Sequence, residues 1–295
     1  MTGSLIYHPV ITELQSETIR ENGITCSVLR LDLIDKHAGG NKFFKLKYNL
    51  IAAQQEQLPV MTFGGAYSNH ILATACSCYQ NNIRCVGIIR GDEKRESNYI
   101  LKEAQQLGMR LHFVSREEYR MRNDHEYQNS LTEIFGKHFI IPEGGANEEG
   151  VMGCKEILPA LHHDFDFILL PAATGSTLAG IALTANRKTN VIGIAVLKGE
   201  EYLEALVNSW TEGKHTAKWM LNHQYHFGGY AKSNDELKKF IPEFNRLHRI
   251  PLEPVYSAKL FYALSDLIGK KYFPFGSRIL AIHTGGVHDH LPKSI

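Results

Sequence analysis

Apolar and polar positions fall into blocks along this chain, and from about residue 58 the blocks repeat in a regular order. "VMTF" (60–63), "CVGIIRG" (85–91), "RLHFV" (110–114), "FIIP" (139–142), "FDFILLPA" (165–172), "VIGIAV" (191–196) and "RILAIH" (278–283) are short apolar runs, the pattern of buried strands. Helical periodicity fills most of the gaps. "NYILKEAQQLG" (98–108) sets Ile100, Leu101, Ala104 and Leu107 on one face, with Gly108 placed as a C-terminal cap. The most polar stretch, 116–137, predicts an exposed helix. Strand, helix, strand without long polar linkers predicts an α/β protein of mainly parallel twisted sheets with helices on both faces and ligand-holding loops at the strands' carboxyl ends. Glycine-rich loops occur on both sides of the polar stretch, and two sheets facing a common cleft would bring them together. The expected division is a small domain at 45–149 and a large one built from 1–44 and 150–295.

Composition narrows the partners. The 295 residues are 43% hydrophobic and 21% charged, ordinary for a globular protein of about two domains. With 32 Lys+Arg against 31 Asp+Glu the formal net charge is +1, which offers no bulk attraction for nucleic acid or an anionic membrane. No apolar run approaches a membrane span, and "MTGSLIYHPVITELQ" lacks a signal-peptide pattern, so the expected location is cytoplasmic. Five cysteines argue against a disulfide framework. Cys76, Cys78 and Cys85 lack the partners of a metal site and read as small buried helix residues.

The candidate chemistry lies in the loops. "GGNKFFKLKYNL" (39–50) puts two glycines and an asparagine before Lys42, Lys45 and Lys47. That stripe reads either as a solvated helix face or as one inward lysine doing chemistry. "PAATGSTLAG" (171–180) follows a strand and opens a helix, so converging N–H groups and the hydroxyls of Thr174, Ser176 and Thr177 suit a phosphate. It matches neither the P-loop spacing nor GxGxxG. In "FGGAYSNHILA" (63–73), Ser68 and Asn69 sit where their side chains would ordinarily cap the following helix, a ligand contact being the other reading. "PEGGANEEGVMG" (142–153) and "HTGG" (283–286) are loops of the same kind. An anion loop together with a lysine in a Gly-Asn setting suits pyridoxal 5'-phosphate, which needs an amine, a phosphate site and a partner for its ring nitrogen.

In order along the chain, "RLD", "GGNKxxKLxY", "SNH", "IPEGG" with "GVMG", "TGSTLAG", "GGY", "EPVYSAK" and "HTGGV" resemble the D-cysteine desulfhydrase and 1-aminocyclopropane-1-carboxylate deaminase family of fold-type-II pyridoxal-phosphate enzymes, from about Arg30 to Gly286. The resemblance implies a two-domain fold like that of the tryptophan synthase β chain, and a homodimer. It implies Lys42 as the Schiff-base lysine, with Lys45 and Lys47 left on a solvated face. It implies Ser68 near the substrate carboxylate or reacting atoms and Asn69 near the ring oxygen. Thr174, Gly175, Ser176 and Thr177 would cradle the phosphate, and Tyr230 and Tyr256 would line the substrate side. No metal is implied.

Two departures bear on the substrate. Deaminases of the cyclopropane amino acid carry "PVYEGK", whose carboxylate meets the ring nitrogen; here Ser257 stands in "PVYSAK". A hydroxyl can donate to an unprotonated nitrogen and leaves a weaker electron sink, which suits β-elimination. Phe44 replaces an arginine common among relatives, and His70 in "SNH" resembles the desulfhydrase branch. The expected reaction is α,β-elimination of D-cysteine or a related small amino acid to pyruvate, ammonia and sulfide, with Lys42 removing the Cα proton. The alternatives are ring-opening deamination to 2-oxobutanoate, a racemase or dehydratase on the same cofactor, a noncatalytic metabolite-binding module and a nucleotide-binding protein.

Overall fold

A computed structural model describes residues 7–92, 98–158, 164–199 and 202–287. The chain forms two compact units. The smaller begins at Asp35 and ends at Gly153; the larger comprises Ile6–Ile34 and the chain from Cys154 onward.

The smaller unit is built on four parallel strands in the order β5-β4-β3-β6: β3 (Val60–Gly65), β4 (Cys85–Arg90), β5 (Arg110–Val114) and β6 (Phe139–Ile141). Both faces are covered. Val60, Ile89 and Ile141 pack with Leu46, Leu50 and Ala53 of α2 (Asn41–Gln55) and Ile71 and Ala73 of α3 (Asn69–Gln80). Met61, Phe63, Val86 and Ile88 point the other way, onto Tyr119 and Leu131. That two-sided burial is why these strands read as unbroken apolar runs.

The structure draws the boundary ten residues before the expected position 45, so Lys42 belongs to the smaller unit. The cause is α2: it starts at Asn41, and its apolar face enters the core of β3, β4 and β6. The polar stretch forms two helices, α5 (Arg116–Arg120) and α6 (His125–Phe135), because the Asp124 carboxylate accepts from Glu126 and Tyr127 N–H and starts a new helix. All five cysteines are buried, but Cys85 opens β4 and does not lie on a helix.

The larger unit carries six strands in the order β1-β2-β10-β7-β8-β9: β1 (Ile11–Leu14), β2 (Thr25–Arg30), β7 (Phe167–Ala172), β8 (Asn190–Ala195), β9 (Lys218–Asn222) and β10 (Arg278–His283). Among the described residues only the β1–β2 pair of this sheet is antiparallel. Val28, Leu169, Ile192 and Ile279 form a core with Phe261 and Leu264 of α11 (Ser257–Gly269) and Phe244 of α10 (Asp235–His248). Among the described residues no helix is long and apolar enough to cross a membrane.

Both sheets have a switch point, where successive strands step off in opposite directions and leave a crevice at their carboxyl ends. In the smaller sheet it lies between β3 and β6, so it is flanked by the loops that follow Gly65 and Ile141. In the larger it lies between β7 and β10, flanked by the loops at 172–177 and 283–286. Strand order thus selects the same four glycine-rich loops that stand out chemically.

Candidate active site

In the smaller unit Lys42 sits in the first turn of α2, which opens at Gly40 with φ 70°. Half-buried, its Nζ donates to Asn41 Oδ1 at 3.2 Å. Lys45, one turn on, is only 2% exposed, and its Nζ donates to the carbonyl of Gly144 at 3.2 Å. The expectation that Lys45 lies on a solvated face is therefore corrected, whereas Lys47 is exposed. The physical reason is Gly145, at φ 65°, where a Cβ would stand 3.1 Å from Lys45 Cβ; the bare backbone of the 142–145 loop closes over the lysine stem. Asn49 and Asn147 fasten the same loop to α2 through paired amide bonds of 3.1 and 2.8 Å.

His70 lies next to this group, fully buried. Thr62 Oγ1 donates to the Ile141 carbonyl at 2.8 Å, so the proton shared with His70 Nε2, also at 2.8 Å, comes from the imidazole. Burial, then the charges of Lys42 and Lys45, hold His70 well below its ordinary range, and the ring is neutral.

Ser68 is the N-cap of α3, yet its side chain makes no capping hydrogen bond. Of the two readings open for this serine, capping is the one the geometry does not carry. Its Oγ lies over Gly64, where a Cβ would stand 2.9 Å away. Asn69 is the first residue of α3 and is half-buried. Asn98 steadies the loop, donating to the Ala66 carbonyl at 3.0 Å while capping its own helix.

In the larger unit the loop after β7 turns at Gly175, φ 79°, into α8 (Ser176–Ala182). A Cβ there would lie 2.9 to 3.2 Å from Val207, Leu203 and Trp210, so only glycine fits. Thr174 is half-buried; Ser176 and Thr177 are buried. Tyr230 and Tyr256 meet edge to face with ring centroids 6.4 Å apart. Tyr230 is 44% exposed and Tyr256 half-buried.

Ser257 is fully buried at the start of α11. Its Oγ accepts from Glu253 N–H at 2.8 Å and donates to the Glu253 carbonyl at a long 3.2 Å. The Glu253 carboxylate accepts from the N–H groups of Val255, Tyr256 and Ser257 at 2.6 to 2.7 Å, serving the orphan donors of the helix start. Burial raises its pKa and these three bonds oppose the rise. Two residues after Ser257, Lys259 is wholly buried and donates to the carbonyls of Val196, His226 and Gly229 at 3.0, 2.8 and 2.7 Å. Burial pushes its pKa down to about 8, against the pull of Glu253.

Glu253, Lys259 and Lys45 are the residues missed by sequence reasoning. The available signal was local: Lys45 between Phe44 and Leu46, and Lys259 before "LFYAL", each have apolar neighbours that leave a long cation nowhere to go but inward. Among the described residues no cluster of three or more His, Cys, Asp or Glu could hold a metal.

The strand orders, switch-point loops and glycine-built turns are those of a two-unit α/β enzyme. Residues 12–285 match the profile of the pyridoxal-phosphate dependent enzymes, and the chain belongs to that family, in its fold-type-II branch. A Pyrococcus horikoshii protein with the provisional name 1-aminocyclopropane-1-carboxylate deaminase is 32% identical over 282 residues, covering 91% of this chain and 86% of its own. The Arabidopsis thaliana bifunctional D-cysteine desulfhydrase/1-aminocyclopropane-1-carboxylate deaminase, mitochondrial, is 30% identical over 293 residues, 90% of this chain and 73% of its own. A crystal structure described as an ACC deaminase homologue superposes with a TM-score of 0.81 at 28% identity, covering 96% of this chain and 90% of that one. The protein is a pyridoxal-phosphate-dependent lyase or deaminase.

Proposed function

We propose that the protein catalyses α,β-elimination on a small β-substituted amino acid, with D-cysteine as the favoured substrate, releasing pyruvate, ammonia and sulfide. The observation that carries this reading is Ser257, a buried hydroxyl at the position where a carboxylate would make the bound ring a stronger electron sink. Its single proton sits on a long 3.2 Å bond to Glu253, so it can turn toward a ring nitrogen while Oγ keeps the shorter bond from Glu253 N–H. When bound, the cofactor draws electrons from Cα through its conjugated ring.

The chain's own residues divide the remaining work. Lys42 would hold the cofactor through its amine, and the freed Nζ would accept the Cα proton. Ser68, with its hydroxyl not spent on capping, binds the substrate carboxylate or the reacting atoms, and Asn69 donates to the ring oxygen. Thr174, Gly175, Ser176 and Thr177 hold the phosphate; a turn kept free of Cβ bulk, with buried hydroxyls beside it, supports that role. Tyr230 and Tyr256 close the substrate side and exclude water, and either can exchange a proton at the leaving group.

A second reading, deamination of 1-aminocyclopropane-1-carboxylate to 2-oxobutanoate, draws on the provisional name of the Pyrococcus relative. Supplying both substrates to the purified holoenzyme separates the two. Sulfide and pyruvate from D-cysteine, with little 2-oxobutanoate from the cyclopropane amino acid, is the expected result; the reverse ratio sinks the elimination reading.

A further inference from the structure

Lys259 has no part in the chemistry proposed above, yet it is wholly buried, and its three ammonium protons meet three main-chain carbonyls. Those carbonyls belong to two different places: Val196 just past β8, and His226 and Gly229 in the turn that precedes Tyr230. The turn is conformationally costly. Phe227, Gly228, Gly229 and Ala231 all have positive φ, at 52°, 95°, 112° and 52°, and two of them are not glycine. Backbone in that state persists only where its surroundings over-determine it. Inside the turn Gly229 N–H donates to the His226 carbonyl, and Gly228 N–H to His226 Nδ1, both at 2.9 Å. These local bonds leave the His226 and Gly229 carbonyl oxygens converging on one point, which is electrostatically unfavourable unless a cation fills it. Lys259 reaches that point from the first turn of α11, three residues after Tyr256.

We propose that Lys259 is an internal monovalent cation: its ammonium fills a carbonyl cage that would otherwise bind potassium or ammonium, and it thereby positions the Tyr230 turn against Tyr256. The edge-to-face contact of the two rings is the product of that arrangement. The positioning half rests on the assignment of these tyrosines to the substrate side; the cage does not. Lys259 is a positioning residue, since its ammonium acts through the main chain of the turn.

The test uses the holoenzyme and its Lys259→Ala and Lys259→Met variants in potassium chloride or tetramethylammonium chloride at equal ionic strength. Wild type should melt at the same temperature in both. Lys259→Ala, which vacates the cage, should melt about 3 °C or more higher in potassium. Lys259→Met, whose side chain still occupies the slot, should gain nothing. With the amino-acid substrate, potassium should also lower an elevated KM of Lys259→Ala by roughly tenfold while kcat changes little. If Lys259→Ala does not fold, Lys259→Gln retains a donor of similar reach and should show the raised KM alone; an unchanged KM in it overturns the positioning. Equal melting of Lys259→Ala in both salts overturns the cage. Absence of turnover in wild type, with the potassium effect on melting intact, would refute the proposed reaction and spare the cage.

Discussion

Two sets of helix starts behave differently in this molecule. Ser16, Asn98, Ser115, Asp124 and Asn234 each cap a helix with a side-chain oxygen that accepts from a backbone N–H one turn in. Gly40, Ser68, Gly175 and Tyr256, which open the helices bearing Lys42, Asn69, Ser176 and Ser257, make no such bond. The first set spends its polar side chains on stability. In the second, two positions have no side chain to spend, one has a hydroxyl directed elsewhere, and one delegates the task to Glu253. Under the function proposed above, the helix starts without a side-chain cap of their own are the ones offered to an anion or a reacting group.

The contrast can be broken most forcefully at Lys42. Lys42→Ala should remove the absorption near the visible edge that lysine-bound cofactor gives and lower turnover by about 10²–10⁴-fold, the usual worth of a positioned base. Spectra and steady-state rates read this directly, and a variant retaining both would refute the assignment. Gly175→Ala forces a Cβ against Val207 and Leu203 at positive φ, a strain of about 1–3 kcal/mol. It should weaken cofactor retention in equilibrium dialysis; undiminished retention would detach this loop from the phosphate.

Acid supplies a third, smaller effect. His70 is held below its ordinary 6.5 by burial and two lysines, so below pH 6.5 the unfolded chain takes up a proton that the fold refuses. Stability from this group is present above 6.5 and drains away as pH falls toward the depressed value. His70→Gln should flatten that loss in urea titrations at pH 5 to 7, and an unaltered pH slope would exclude His70 as its source. Smallest is a change in the capped set. Asp124→Ala should cost about 1 kcal/mol in denaturant melts and leave turnover unchanged; a loss of turnover would erase the distinction between the two sets.

How much of this was legible beforehand follows from burial. The strands β3, β4, β5, β6, β7, β8 and β10 show as apolar runs, within a residue or two of their limits, because nearly all are covered on both sides. β1, "ITEL", and β9, "KWMLN", do not, since Leu14 and Leu221 are the one fully buried residue in each and no apolar run results. The glycine-rich loops were visible because few residues other than glycine satisfy their turns. Lys45 was misread because periodicity marks helix faces but cannot see the 142–145 loop, nearly a hundred residues away in sequence, that covers one of them. Glu253 and Lys259 escaped for the same reason: their partners are main-chain atoms, which no side-chain pattern records.

The strand order also carries a consequence for biosynthesis. In the larger sheet β10 lies between β2 and β7, paired residue for residue with β2 from Thr25 to Arg30. As the chain emerges from the ribosome, Asp35–Gly153 is available to fold as a contiguous piece, whereas β2, with β1 on one side, waits for β10 before its second neighbour exists. During that interval an apolar strand edge stays uncovered, so the nascent protein is most vulnerable to misassociation just before its last strand arrives.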